Sequence, residues 1–263
     1  MFSTLIEKLG RRDDLTTDEA ATAMALVMRG EATPAQIAGL LIGLSMKGER
    51  PAELVGFART MRAQAVQLKS PPGEVFDTCG TGGDRSGTFN ISTGAALVVA
   101  ACGVRVAKHG NRSVSSQCGS ADVLRALGVK VELTPDQVAR SLDEIGIGFM
   151  FAPLHHAATK RVALIRRELG VRTIFNLLGP LTNPAGAPFQ IAGVSHPTAS
   201  EKVAQAMARL GTRRAWVVRG TDGLDEITLG GETIVYEAGP DGVRRFEIAP
   251  EDFGLRRSDL QTL

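Results

Sequence analysis

Apolar positions in the first 68 residues recur at helical spacing. Ile37, Leu40, Leu41 and Leu44 fall on one face, and Leu54, Phe57, Ala58 and Met61 on another. Thr16 to Glu19 spells a capping box ahead of an Ala- and Met-rich helix that ends near Gly30. Thr33-Pro34-Ala35-Gln36 repeats the signal with Pro at the first helical position, and that helix stops at Gly48. A third helix starts near Pro51. These stripes have the spacing of core or subunit contacts, and no residue in them has obvious chemistry. Lys69-Ser70-Pro71-Pro72-Gly73 breaks any helix and reads as a linker.

From residue 74 short apolar runs alternate with helical stretches. Strands are predicted at Val75–Asp77, Val104–Ala107, Val129–Leu133, Ile147–Phe151, Ile191–Val194 and Ala215–Arg219. Helices are predicted at Ala95–Cys102, Ala121–Leu127, Pro135–Ile145, His155–Leu169 and Ser200–Leu210. Two runs around Pro240-Asp241-Gly242 read as a closing hairpin. The expected fold is α/β: a mostly parallel sheet flanked by helices over 74–263, with a small all-helical N-terminal domain over 1–70.

The chain has 263 residues and net charge +2, with 30 basic against 28 acidic side chains. That balance gives no bulk attraction to nucleic acid or to a membrane surface. No apolar run approaches the roughly 20 residues that span a bilayer. The N-terminus lacks a signal-peptide core. Three cysteines without CxxC spacing argue against a disulfide frame or zinc site and suit a reducing, cytoplasmic setting.

Chemistry concentrates in residues 77–94. Gly80, Gly82, Gly83 and Gly87 are interleaved with Thr81, Asp84, Thr88, Asn90, Ser92 and Thr93, between a strand and a helix. Such a loop suits an anion, most often phosphate, because its amides and the helix N-terminus can face one point. A tight turn between core elements would also account for the glycines, but not for so many polar neighbours. Lys108-His109-Gly110-Asn111-Arg112 follows the next strand. Ligands in open α/β sheets sit beyond the carboxyl ends of strands, so both loops are expected to face one pocket. Lys108 offers a point charge; Ser120 is either a ligand group or a cap for the following helix. Asp225 and Glu226 end a later strand, where they read as a polar turn or, beside a phosphate loop, a magnesium position. His156 and Arg166 are roughly three turns apart on one predicted helix and can share a side. Of His155 and His156, only one can face a site there. The Gly/Pro/Asn-rich stretch 171–184 could wall a flat apolar ligand.

Six motifs in order resemble the anthranilate phosphoribosyltransferase family. They are Gly80-Thr81-Gly82-Gly83-Asp84, Thr88-Phe89-Asn90-Ile91-Ser92-Thr93, Lys108-His109-Gly110-Asn111-Arg112, Gly119-Ser120-Ala121-Asp122-Val123-Leu124, residues 176–184, and Asp222-Gly223-Leu224-Asp225-Glu226-Ile227. The resemblance implies transfer of the phosphoribosyl group of PRPP to anthranilate, with release of pyrophosphate, in tryptophan biosynthesis. It implies PRPP contacts from Gly80–Asp84, Thr88, Asn90, Ser92, Thr93, Lys108 and Ser120. It implies anthranilate contacts from Gly80, His109, Asn111, His156, Arg166 and Gly179. Ser92, Asp225 and Glu226 would serve two Mg2+ ions, and no residue would act as acid or base. A homodimer through the N-terminal helices is implied; nucleic-acid and membrane partners are not. The pyrimidine nucleoside phosphorylases share the glycine-loop theme, but carry Ser-Gly-Arg where this chain has Gly110-Asn111-Arg112. A family-like nucleic-acid binder would need a basic stripe that the charge balance does not supply. Family members continue with a Gly/Ala-rich helical segment, so a chain ending at Leu263 is expected to be C-terminally shortened, with apolar sheet surface exposed.

Overall fold

The computed structural model describes residues 2–68, 74–84, 86–112 and 118–259. The expected linker Lys69–Gly73 lies outside the described residues. Four helices open the chain: α1 (Phe2–Gly10), α2 (Thr17–Arg29), α3 (Pro34–Lys47) and α4 (Pro51–Gln64). Both capping boxes form, Thr16 with Glu19 and Thr33 with Gln36. Helix α1 was not singled out by its sequence, yet Phe2, Leu5 and Leu9 bury one side of it.

The remainder runs β1 (Phe76–Gly80), α5 (Ile91–Ala101), β2 (Val106–Gly110), α6 (Ser120–Ala126), α7 (Pro135–Ile145), β3 (Ile147–Phe151), α8 (Ala152–His155), α9 (Lys160–Leu169), α10 (Phe175–Leu178), β4 (Phe189–Gly193), α11 (Ser200–Arg209), β5 (Arg214–Gly220), β6 (Thr233–Gly239) and β7 (Gly242–Ile248). They form one sheet of order β3-β2-β1-β4-β5-β6-β7. The first five positions pair in parallel, and the hairpin adds two antiparallel strands. From β1 the chain winds outward through β2 to β3, and from β4 it winds the other way to β5. Right-handed crossovers therefore send α5 and α11 to opposite faces.

Four expectations from the sequence are corrected. Residues 129–133 form no strand. Their alternation buries Val131 and turns Leu133 inward, but no strand pairs with them. Helix α5 starts at Ile91, not Ala95, with Asn90 at its N-cap position, so Ser92 and Thr93 occupy its first turn. The stretch 155–169 is two helices: the backbone breaks at His156 (φ −121°, ψ 53°), whose imidazole is drawn to Thr182 O at 3.0 Å. His156 and Arg166 thus do not share a helix. Gly119, not Ser120, is the N-cap of α6; the Ser120 hydroxyl donates instead to Asn111 O at 3.2 Å.

One buried cluster runs from α1–α4 through α9 to β4, α11 and β5, and α4 packs on α11. The sheet's carboxyl end therefore faces the helical part. A second groove, about 570 Å³, lies over the N-terminal half of β1, β4 and β5 between Val104, Ile191 and Trp216.

Glu53, wholly buried, fastens the helical part. It accepts from Leu15 N (2.9 Å) and Arg50 N (2.8 Å) and pairs with the buried Lys47 at 3.1 Å. Its removal leaves the buried Leu15 N–H and the half-buried Arg50 N–H without this acceptor, and leaves the Lys47 ammonium only Asp14 and Gly48 O among the partners seen. Glu53→Ala is expected to lower the unfolding free energy by about 3 kcal/mol, measured by urea titration.

Candidate active site

The winding reverses between β1 and β4, and parallel sheets open a crevice at such a point beyond their carboxyl ends. Here the crevice is a cleft of about 850 Å³. The end of β1 becomes the glycine loop. Thr81 N donates to Gly193 O (2.8 Å), fastening it to the end of β4. Gly82 and Gly83 take positive φ (66° and 78°), a conformation that costs glycine nothing. Ser195 Oγ donates to Gly82 O at 3.1 Å, and the Arg172 guanidinium donates to Gly83 O. The loop carbonyls are thereby held from outside the cleft. The Gly82 amide donates to Asp225 Oδ2 at 2.8 Å, so the loop and the acidic turn after β5 are one unit.

Asp225 reaches that position only because Gly193 lacks a side chain. A Cβ there would lie 1.6 Å from Asp225 O. Glu226 follows and accepts from the Ser92 backbone N–H in the first turn of α5. Burial, with Asp84 opposite, pushes the Asp225 carboxyl up to about 6. Burial, with Asp225 alongside, pushes Glu226 up to about 8. Among the described residues, no three His, Cys, Asp or Glu side chains form a metal-holding group. A carboxylate pair that needs further oxygens from its ligand is the arrangement typical of magnesium.

Lys108 is buried at the end of β2. Its ammonium donates to Thr78 O and lies 3.5 Å from Ser92 Oγ, under the N-terminus of α5. His109 follows it into the cleft wall, with the His156 ring edge-on behind at 5.3 Å between centroids. Burial holds His109 down at about 3 and His156 at about 4, so both rings are neutral at physiological pH. The opposite wall is made by Phe175, Asn176, Gly179 and Pro180. The Arg166 guanidinium stands over the Phe175 ring at 5.4 Å and makes no ion pair among the described residues.

A model of the glycosyl transferase family's α/β domain matches residues 72–263, and one of the same family's helical bundle domain matches residues 3–65. Anthranilate phosphoribosyltransferase of Moorella thermoacetica is 56% identical over 263 residues, which are 100% of this chain and 78% of that one. The chain belongs to the anthranilate phosphoribosyltransferase family. The crystal structure of anthranilate phosphoribosyltransferase from Thermus thermophilus superposes with TM-score 0.91 at 48% identity, covering 98% of this chain and 77% of that one. The Saccharomyces cerevisiae anthranilate phosphoribosyltransferase in complex with PRPP and Mg superposes with TM-score 0.89 at 26% identity, covering 99% and 76%.

In this member of the anthranilate phosphoribosyltransferase family, most residues singled out by sequence meet in the cleft. Gly80, Thr81, Gly82, Gly83, Asp84, Thr88, Asn90, Ser92, Lys108, His109, Asn111, Ser120, Arg166, Gly179, Asp225 and Glu226 all line it. Thr93 and His156 do not. Thr93 is buried beneath α5 with its hydroxyl unpartnered, and His156 backs His109. His155 turns away to Val66 O at 2.6 Å. Arg172 and Ser195, which brace the glycine loop, carried no signal in the sequence. Each is a single polar residue far along the chain from what it holds.

The two neutral rings also set an acid limit. Their folded pKa values lie below the ordinary 6.5, so the unfolded chain binds more protons in between. Stability is complete above about pH 6.5 and falls as pH drops toward the folded values. Between about pH 6.5 and pH 5 each ring should remove about 2 kcal/mol. Urea unfolding across that range is expected to show this slope, shallower in His156→Gln.

Proposed function

We infer that the chain transfers the phosphoribosyl group of PRPP to the amino group of anthranilate, giving N-(5-phosphoribosyl)anthranilate and pyrophosphate in tryptophan biosynthesis. The observation that carries this is the meeting of the glycine loop, Lys108 and the Asp225–Glu226 pair in one cleft at the sheet's switch point.

The donor set fits a divalent cation. Asp225 and Glu226 are buried beside each other and strained as anions, and the Ser92 hydroxyl lies on the same wall. Ser92, Asp225 and Glu226 would hold Mg2+, two ions in all, with substrate oxygens completing the coordination. Bound magnesium neutralises the charge gathering on the departing diphosphate.

The chain's own groups supply the rest. The glycine loop from Gly80 to Asp84, with Thr88, Asn90, Ser92 and the N-terminus of α5, cradles the diphosphate and ribose. Lys108 and Ser120 reach phosphate oxygens, and the Lys108 ammonium opposes charge as the C1–oxygen bond breaks. Arg166 offers a planar fork to the anthranilate carboxylate, and among the described residues no ion pair occupies that fork. Gly80, His109, Asn111 and Gly179 line the acceptor's path, with His156 fixing the His109 ring from behind. The aromatic amine attacks C1 as a neutral nucleophile. Once the C–N bond has formed, its nitrogen is acidic enough to lose a proton without a strong base. Neutral His109, held at about 3, is no such base, and none is needed. We infer further that two copies pair through the N-terminal helices, where Met46 stands exposed.

The direct test follows anthranilate fluorescence in the presence of PRPP and magnesium. Its emission is expected to fall only when all three are present; a steady signal would overturn the reading. Asp225→Asn with Glu226→Gln is expected to abolish turnover at every magnesium concentration. Arg166→Ala is expected to raise KM for anthranilate by about tenfold to a hundredfold, with KM for PRPP little changed, in steady-state kinetics.

A further inference from the structure

Asp77 is wholly buried on β1, and no step above uses it. Its surroundings are unusual for a strand. β1 pairs with β4 at five register positions, and β2 with β3 at five. Between β1 and β2 the ladder holds only Phe76 opposite Val106. Beyond that pair side chains take over the bonding between the two strands. Asp77 Oδ1 accepts from His109 N at 3.2 Å, and Lys108 Nζ crosses the gap to Thr78 O.

The other oxygen of Asp77 is held by side chains from the segment after α10 and from β4. It accepts from Asn183 Nδ2 at 2.8 Å and from Gln190 Nε2 at 3.5 Å. Asn183 Nδ2 also reaches Ala107 O (2.9 Å), and Gln190 Nε2 reaches Pro180 O (2.8 Å). One carboxylate therefore joins the strand end bearing Lys108 and His109 to the loop bearing Gly179 and Pro180. The former carries Lys108 toward the diphosphate and His109 toward the acceptor's path, which the latter also borders.

We propose that Asp77 is a positioning residue for the transfer: its carboxylate sets the gap between β1 and β2, and with it the alignment of Lys108 against the leaving diphosphate and of the two half-sites with each other. This rests on the function inferred above. It explains why a buried acid sits in the strand that leads into the glycine loop. An apolar residue there would leave the His109 amide and the Asn183 amide group without an acceptor. It would also deprive the buried Lys108 of an opposite charge beside it.

The test compares Asp77→Asn with the unaltered chain, each at matched folded concentration established by circular dichroism and well below its melting temperature. The amide keeps the volume of the carboxylate but cannot accept from both sides. Misalignment of about 1 Å costs about 100-fold in rate. The kcat of Asp77→Asn is therefore expected to fall about 100-fold while KM for PRPP stays within about threefold, the pattern of an interaction made in the transition state. A residue that only stabilised the fold would lower the melting temperature and leave kcat per folded molecule intact; that result overturns the proposal. If Asp77→Asn does not fold, Asn183→Ser removes the carboxylate's shortest partner instead. Its kcat should fall about tenfold, and an unaltered kcat overturns the proposal equally. The unaltered chain is the separate control: if it transfers nothing, the inferred function fails. If it is active and both variants match it, only the role of Asp77 fails.

Discussion

The close passage of the Asp225 backbone across Gly193 is the constraint on which the site depends. Two chain segments from different strand ends meet there with no side chain between them. That contact brings a carboxylate within 2.8 Å of the Gly82 amide and sets Glu226 against the first turn of α5. Gly80 makes the same allowance from the other side, since a Cβ there would stand 3.0 Å from Asp225 Oδ2. The topology supplies the space and the two glycines let the chain use it. Without the reversal of winding at β1 and β4, helices would cover the strand ends. Without the glycines, the acidic turn would stand too far out to share an ion with the phosphate loop.

Having gathered like charges, the fold must hold them. Burial raises the pKa values of Asp225 and Glu226, the Asp84 charge raises Asp225 further, and the Asp225 charge raises Glu226 further. Lys108 opposes the Glu226 charge from inside, and it is itself pushed down by burial. An arrangement of this kind costs stability when empty, and the cost is recovered when cations and a polyanion enter together. The proposed acceptor side is built on the opposite principle. His109 and His156 are kept neutral by burial, and the Arg166 guanidinium stands over the Phe175 ring on the same cleft.

Much of this was legible in the sequence because the informative groups are contiguous. The run from Gly80 to Thr93 declares a strand, an anion loop and a helix start, since glycine, small hydroxyls and an apolar run each have one physical use in that order. Thr16 with Glu19 and Thr33 with Gln36 gave helix starts for the same reason: a cap is a local bargain between four residues. What local pattern could not give was decided by tertiary partners. Val129 to Leu133 alternates like a strand but meets no edge. The helix expected through His156 breaks because Thr182, distant in the chain, captures its imidazole. Ser120 left the cap to Gly119 because Asn111 O was within reach.

Arg172 shows how the helical part and the glycine loop are joined, and why the join can yield. Its backbone carbonyl accepts from Ser45 on α3 at 3.4 Å, while its guanidinium reaches Gly83 O and Ser195 Oγ, the latter at 3.0 Å. The segment after α9 therefore touches the helical part with its backbone and the phosphate loop with its side chain. Arg172 is exposed, so water competes for each of these bonds and none of them is strong. The carboxylate turn, by contrast, packs its backbone against the buried Gly193, and its Asp225 carboxylate takes the Gly82 amide in a half-buried bond. The glycine loop is thus fixed at its root and lightly held at its tip. An anion loop needs that division, because the root must present charge at one place while the tip admits and releases a ligand.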